Sequence, residues 1–126
     1  MSQEKISMKL INFIWCLPQL IVGLIVKIFT CAKKDERGLY IWKLGYGLSL
    51  DKFVFVNKNA SENTIKHEQG HSKQSRMLGP LYLFVVGIPS AIWCHCFNWY
   101  RKKYSVSYYS FYCEKWADQL GGVNRD

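Results

Sequence analysis

The stretch TIKHEQGHSKQ, residues 64–74, decides how this chain is read. It holds two of the three histidines in the protein, His67 and His71, four residues apart, with Glu68 directly after the first. On an α-helix, positions i and i+4 lie on one face. A helix here therefore aims both imidazoles at one point in space and sets Glu68 on the flank of that face. The residues before it support a helix start: Asn59 or Ser61 can cap, and Asn59 with Glu62 three residues later matches a capping box. The spacing predicts a helix over 60–78, ended by Gly79-Pro80 because proline disfavours helical geometry in the residue before it. Gly70 is out of place in such a helix, costing about 1 kcal/mol relative to alanine. It becomes intelligible if something approaches the backbone closely there.

Working outward, the chain holds two long apolar segments. The first runs over 10–31, LINFIWCLPQLIVGLIVKIFTC, and the second over 77–100, MLGPLYLFVVGIPSAIWCHCFNWY. Each matches the roughly 20 residues that cross a bilayer as a helix, although Pro18, Gln19 and Lys27 interrupt one and Pro80, Pro89 and His95 the other. A soluble domain of 126 residues has little room to bury both, so the expectation is a membrane protein, in the bacterial cytoplasmic membrane. The first segment has no small-x-small cleavage site and is too long for a signal peptide's apolar region, which suggests an uncleaved anchor over 1–37 with its basic connector. The rest, 38–126, is expected to form the functional domain.

The net charge of +8 comes from clusters such as Lys33-Lys34 and Arg101-Lys102-Lys103 flanking apolar segments. That placement suits anionic lipid headgroups; no nucleic-acid-binding motif accompanies it. Five cysteines are an odd set and argue against a disulfide framework. Cys94-His95-Cys96 does not read as a metal site, because positions i and i+2 of a helix diverge by about 200°.

Between the apolar segments, LYIWKLGYGLSLDKFVFVN (residues 39–57) reads as two short strands around a glycine turn, the second over 52–57. A last helix is expected over 105–120, stopped by Gly121-Gly122. The fold class expected is α+β, mainly α: membrane-associated helices, a short β-hairpin, the His67–His71 helix and a C-terminal helix.

That C-terminal helix carries Glu114 and Asp118, again four apart on one face. A catalytic zinc takes three protein ligands and leaves one position open. His67, His71 and Glu114 supply three, and Asp118 can fix the tautomer of a ligating histidine from its far nitrogen. Glu68 is then placed to act as general base. The competing reading is a pair of solvated helix faces.

His67-Glu68-x-x-His71 followed by Glu114-x-x-x-Asp118 resembles the active-site signature of the gluzincin zinc metallopeptidases, the thermolysin-like enzymes and their membrane-embedded relatives. The segment from Lys66 to Val123 also resembles small bacterial membrane proteins sharing KHE-GH, LGPLYLFV-GIPS and FY-EKWA--LGG. The first resemblance implies Zn²⁺, a peptide or protein substrate, and an edge strand just before the helix, DKFVFV (51–56), along which an extended substrate pairs. It also implies an oxyanion-stabilising residue, for which Tyr108, Tyr109, Tyr112, His95 and Arg101 are candidates. Because His71 precedes the second apolar segment and Glu114 follows it, a straight membrane crossing would separate the ligands by about 30 Å. Either the segment 77–100 spans the membrane and the last helix folds back through it, or a re-entrant hairpin turns at residues 87–90; the hairpin is favoured, with Ser90 helping to satisfy freed backbone groups and with Trp93, Trp99 and Tyr100 at headgroup level. The alternative to an enzyme is a non-catalytic membrane interaction or adaptor protein, with a structural metal or none. Oligomeric state is not legible.

Overall fold

The computed structural model describes residues 3–125, with side chains from Lys9 onward. Two helices open the chain, α1 (Gln3–Trp15) and α2 (Leu17–Thr30), bent by 78° at Cys16. The bend sits where the sequence places it: Leu17 precedes Pro18, and a proline is tolerated only in the first turn of a new helix. Among the described residues no single helix is long and apolar enough to cross a membrane; two bent pairs of helices reach that length and composition together.

Four short strands follow: β1 (Lys33–Lys34), β2 (Tyr40–Trp42), β3 (Leu48–Leu50) and β4 (Phe53–Asn57). They form one sheet in the order β1-β2-β4-β3. The expected two-stranded hairpin with a glycine turn is thereby corrected. The hairpin joins β3 to β4 through Asp51-Lys52, with Leu50 opposite Phe53 and Asp51 in the left-handed region at φ 59. β2 lies on the other side of β4 and runs parallel to it. The stretch 51–56 is thus an interior strand and not an edge; the edge beside it is β3. The run FVFV explains why. Phe53, Val54, Phe55 and Val56 are all buried, as expected of a strand covered on both faces. Phe53 and Phe55 pack with Cys16, Leu20, Tyr40 and Trp42, whereas Val54 and Val56 pack with Leu39 and Ile65. A strand covered on both faces belongs in the middle of a sheet. Burial of Phe55, which is completely enclosed, contributes about 2–3 kcal/mol.

Helix α3 (Glu62–Leu78) carries the histidines. Its cap is Ser61, whose hydroxyl accepts the Thr64 backbone N–H at 3.1 Å; Asn59 instead accepts nothing there and takes part in a turn with Asn57. After α3 the chain passes through a 3-10 turn (Gly79–Leu81) and a π-helical turn (Leu83–Gly87) into α4 (Ile88–Cys96). The sharp reversal falls between α3 and this stretch, at 119°, and not at residues 87–90. The reason is local. Gly79 adopts φ +59 and a Cβ there would meet the Trp15 ring at 2.1 Å, so glycine is required where the chain leaves α3. Pro89 does not break the second stretch, because the π-turn before it absorbs the missing N–H. The Val85 carbonyl, which Pro89 cannot reach with a donor, accepts the Tyr112 hydroxyl at 2.5 Å.

Helix α5 (Asn98–Tyr104) ends at Ser105, φ 54, and α6 (Tyr112–Gly121) begins only after a further 3-10 turn. The single helix expected over 105–120 is therefore shorter and starts later. Trp93 is buried, stacked on Phe111 with ring centroids 4.8 Å apart, so it belongs to the core; Trp99 and Tyr100 are exposed.

Candidate metal centre

Helices α3 and α6 pack antiparallel, closer than side chains normally allow. A Cβ on Gly70 would lie 1.9 Å from the Ala117 carbonyl oxygen, and one on Gly121 would lie 2.0 Å from that of Lys66. Gly70 is explained: α6 is what approaches it. One turn further along, Gln74 donates its side-chain amide to the Cys113 carbonyl at 2.9 Å. Residues 66, 70 and 74 thus face 121, 117 and 113. The four-residue spacings on the two helices read across this interface in register, so His67 meets Asp118 and His71 meets Glu114.

The geometry is specific. His67 Nδ1 lies 2.6 Å from Asp118 Oδ1, and His71 Nδ1 lies 2.7 Å from Gln74 Oε1. Both partners accept, which puts a proton on Nδ1 of each histidine, so that in the neutral ring Nε2 carries the lone pair. Both Nε2 atoms point at one carboxylate oxygen: Glu114 Oε1 is 3.5 Å from His67 Nε2 and 2.9 Å from His71 Nε2. All three side chains are buried, and the three ligand atoms lie within 4.8 Å of one another. Neutral, this is three acceptors facing each other, which is repulsive without a shared cation. A proton between His71 and Glu114 relieves one contact only. His67 Nε2 stays buried with no hydrogen-bond partner, which costs about 1–3 kcal/mol.

The group fits a metal ion. Ligands about 2.0–2.1 Å from a tetrahedral metal are separated from each other by roughly 3.3 Å. The His67–Glu114 distance is already close to that, and the His71–Glu114 contact needs to open by about half an ångström. The surroundings hold the ligands as such sites require. Asp118 is itself gripped by Arg125, at 2.6 and 2.9 Å. Ser90 on α4 reaches both Glu114 oxygens, at 3.0 and 2.9 Å. Glu114 sits in the first turn of α6, where the helix dipole favours a carboxylate.

The protonation equilibria follow from this packing. Burial works to raise the Glu114 carboxyl, but the His67 and His71 contacts outweigh it and hold it at about 2. Burial works to lower His71, yet the Glu114 hydrogen bond and the Glu68 charge push it up to about 9. Burial raises the Glu68 carboxyl, with the neighbouring His71 and His67 only partly opposing. For Asp118 burial is again overcome, chiefly by Arg125, and the carboxyl is lowered.

A cleft of about 200 Å³ opens beside the triad. Glu68, His71, Ser49 and Ser90 line its polar end. Glu68 is held there by Ser49, whose hydroxyl lies 2.6 Å from the Glu68 carbonyl oxygen and 3.0 Å from its Oε1. Gly47 leaves the room: a Cβ there would touch the Glu68 carboxylate at 2.6 Å. Of the oxyanion candidates, Tyr108 and His95 line this cleft. Tyr109 lies on the other side of the site, its ring 5.2 Å from that of His67 and beneath the Arg125 guanidinium. Tyr112 bonds the Val85 carbonyl. Arg101 bonds the Trp93 and Cys94 carbonyls.

Sequence reasoning missed Gln74, Ser49 and Arg125, and assigned Ser90 to backbone satisfaction when it in fact holds Glu114. Gln74 lies three residues after His71, a spacing that places it on the same helix face, so that signal was present. Nothing local marks Ser49, Ser90 or Arg125. No protein-family model matches the chain, and neither any curated protein nor any solved structure matches it.

Proposed function

We propose that this protein is a zinc-dependent peptidase bound to a membrane, in a bacterium the cytoplasmic membrane, with His67, His71 and Glu114 as metal ligands, Asp118 orienting His67, and Glu68 as general base. The observation that carries the reading is the convergence of two imidazole lone pairs and one carboxylate beside an open cleft with a second carboxylate in its wall. Zinc in such a site lowers the pKa of a bound water and polarises a carbonyl. Three protein ligands suit a catalytic site, whereas structural zinc is normally closed by four; among the described residues the cluster holds three.

The chain's own residues then divide the work. Glu68, whose raised pKa brings it nearer to the range where it can both take and return a proton, removes a proton from the attacking water. It hands that proton to the leaving nitrogen as the C–N bond breaks. Tyr108, half-buried in the cleft wall beside the ligands, is the best-placed donor to the developing oxyanion. Burial keeps its hydroxyl protonated, well above the ordinary tyrosine range. The unpaired edge of β3, with Gly47 and Ser49 at the cleft, is the edge available for substrate in place of residues 51–56. A peptide backbone can pair there, although the Ser49 carbonyl already accepts the Tyr82 hydroxyl at 2.8 Å.

The test is metal analysis and peptide hydrolysis on the purified full chain. About one zinc per chain is expected, lost in His71→Ala and Glu114→Ala. Glu68→Gln is expected to keep the zinc and lose hydrolysis by about a thousandfold or more. An unchanged rate in Glu68→Gln rejects the mechanism.

A further inference from the structure

Exposed apolar side chains lie on α1, where Leu10, Ile11, Phe13 and Ile14 are exposed, and on two segments that border the cleft. On α2, Ile21, Ile25, Ile28 and Phe29 are exposed, Phe29 by 83 %. On the stretch 83–92, Phe84, Ile88 and Ile92 are exposed, Phe84 by 70 %. Val22 on α2 and Ile88 on the second stretch bring each set to the cleft. They line the cleft and are themselves 38 % and 50 % exposed, so the cleft opens within the apolar surface and not beside it. Contiguous apolar surface of this kind marks an interaction site.

Charge identifies the partner. Lys33 and Lys34, both exposed, follow directly on α2. Helix α5, directly after α4, sets Arg101, Lys102 and Lys103 among the exposed aromatics Trp99, Tyr100 and Tyr104. Aromatic and basic side chains at the border of an apolar face are the pattern of a helix lying in the headgroup layer. A second copy of the chain would bring the same positive rim, from a net charge of +8, against its own kind. An anionic bilayer brings the opposite sign.

We propose that the face formed by α2, residues 83–92 and α5 lies on an anionic lipid surface, with the cleft mouth opening into the headgroup layer, so that the substrate is the membrane-adjacent stretch of an anchored polypeptide. Both halves deepen the proposed function: the lipid half names the face and the lipid charge behind its membrane binding, and the substrate half rests on its peptidase reading. Entry would be sideways, between α2 and α4, past Val22 and Ile88. A chain lying along the interface reaches Glu68 and His71 without leaving the bilayer surface.

Sedimentation of the zinc-loaded full chain with phosphatidylcholine vesicles, with and without phosphatidylglycerol, tests the lipid half. Binding is expected to be at least tenfold stronger with phosphatidylglycerol and to weaken with salt. The triple variant Ile28→Asp, Phe29→Asp, Phe84→Asp replaces exposed side chains remote from the metal ligands. It is expected to keep its zinc and lose vesicle binding more than tenfold. Equal binding of variant and wild type overturns the proposal, and so does a wild type that ignores vesicles and forms a dimer which the variant abolishes. For the substrate half, a peptide carrying an acyl anchor and presented on anionic vesicles is compared with the same peptide free in solution. The anchored form is expected to be cut at least tenfold faster by wild type, with that preference lost in the variant while cleavage of the free peptide is kept. No preference for the anchored form overturns the entry route. Absence of cleavage of either peptide, with vesicle binding intact, rejects the peptidase reading and leaves the lipid surface standing.

Discussion

At His71 a proton and the proposed metal would compete for one nitrogen. The folded pKa of His71 is raised to about 9 by Glu114 and Glu68 despite burial, above the ordinary value near 6.5. In the metal-free protein a raised histidine contributes stability that is fully present below about pH 6.5 and is lost as pH climbs through about 9. Metal binding must displace that proton, so zinc affinity moves the opposite way and strengthens over the same window. Thermal unfolding of metal-free and zinc-loaded protein between pH 6 and pH 9, values bracketing that window, is expected to show a widening gap in Tm. A constant gap contradicts the proton–metal competition. Gln74 and Ser90 act through their neighbours. Gln74→Leu removes the acceptor that fixes the His71 ring, and Ser90→Ala removes the hydroxyl on Glu114. Each is expected to weaken zinc about 10–100-fold, read by competition with a chelating dye, without removing a ligand.

The α3–α6 pair is the element on which the site depends. Alanine usually stabilises a helix interior relative to glycine, by about 1 kcal/mol. At Gly70 the sign reverses, because the new Cβ would overlap the Ala117 carbonyl at 1.9 Å, backbone that cannot rotate aside. Gly70→Ala is expected to destabilise by about 2–3 kcal/mol through overpacking and to weaken metal binding as α6 carries Glu114 outward. Gly45→Ala, where a Cβ meets nothing within 4 Å, is the control expected to change stability by less than about 0.5 kcal/mol. Chemical denaturation of the two variants measures the contrast. Equal stabilities would mean that α3 and α6 do not pack as closely as described.

At the scale of the whole molecule, a metal held by the triad would join parts of the chain more than forty residues apart. His71 and Glu114 are 43 residues apart in sequence, and a ligand that binds only the folded state stabilises it by mass action. Chelation of the zinc-loaded protein is expected to lower Tm, with His71→Ala already low and insensitive to chelator. An unchanged Tm in the wild type would place the metal elsewhere. The exposed apolar faces of α2 and residues 83–92 would add a second dependence if the proposed lipid surface covers them.

The pairs His67–His71 and Glu114–Asp118 were legible because helical periodicity turns a four-residue spacing into a shared face, whatever surrounds it. Gly70 as a point of close approach, the turn at Gly79-Pro80 and the mixed α and β content were legible for equally local reasons. Tertiary structure decided the rest. Residues 51–56 occupy the centre of the sheet because β2 returns beside them, a pairing that no short window contains. The reversal falls before Leu83 and not at residues 87–90, because a π-turn and the Tyr112 hydroxyl accommodate Pro89. Ser49, Ser90 and Arg125 join the site from distant strands, helices and the C-terminal end. Short-range spacing specifies which face of a helix a side chain occupies. Only packing specifies what that face will meet.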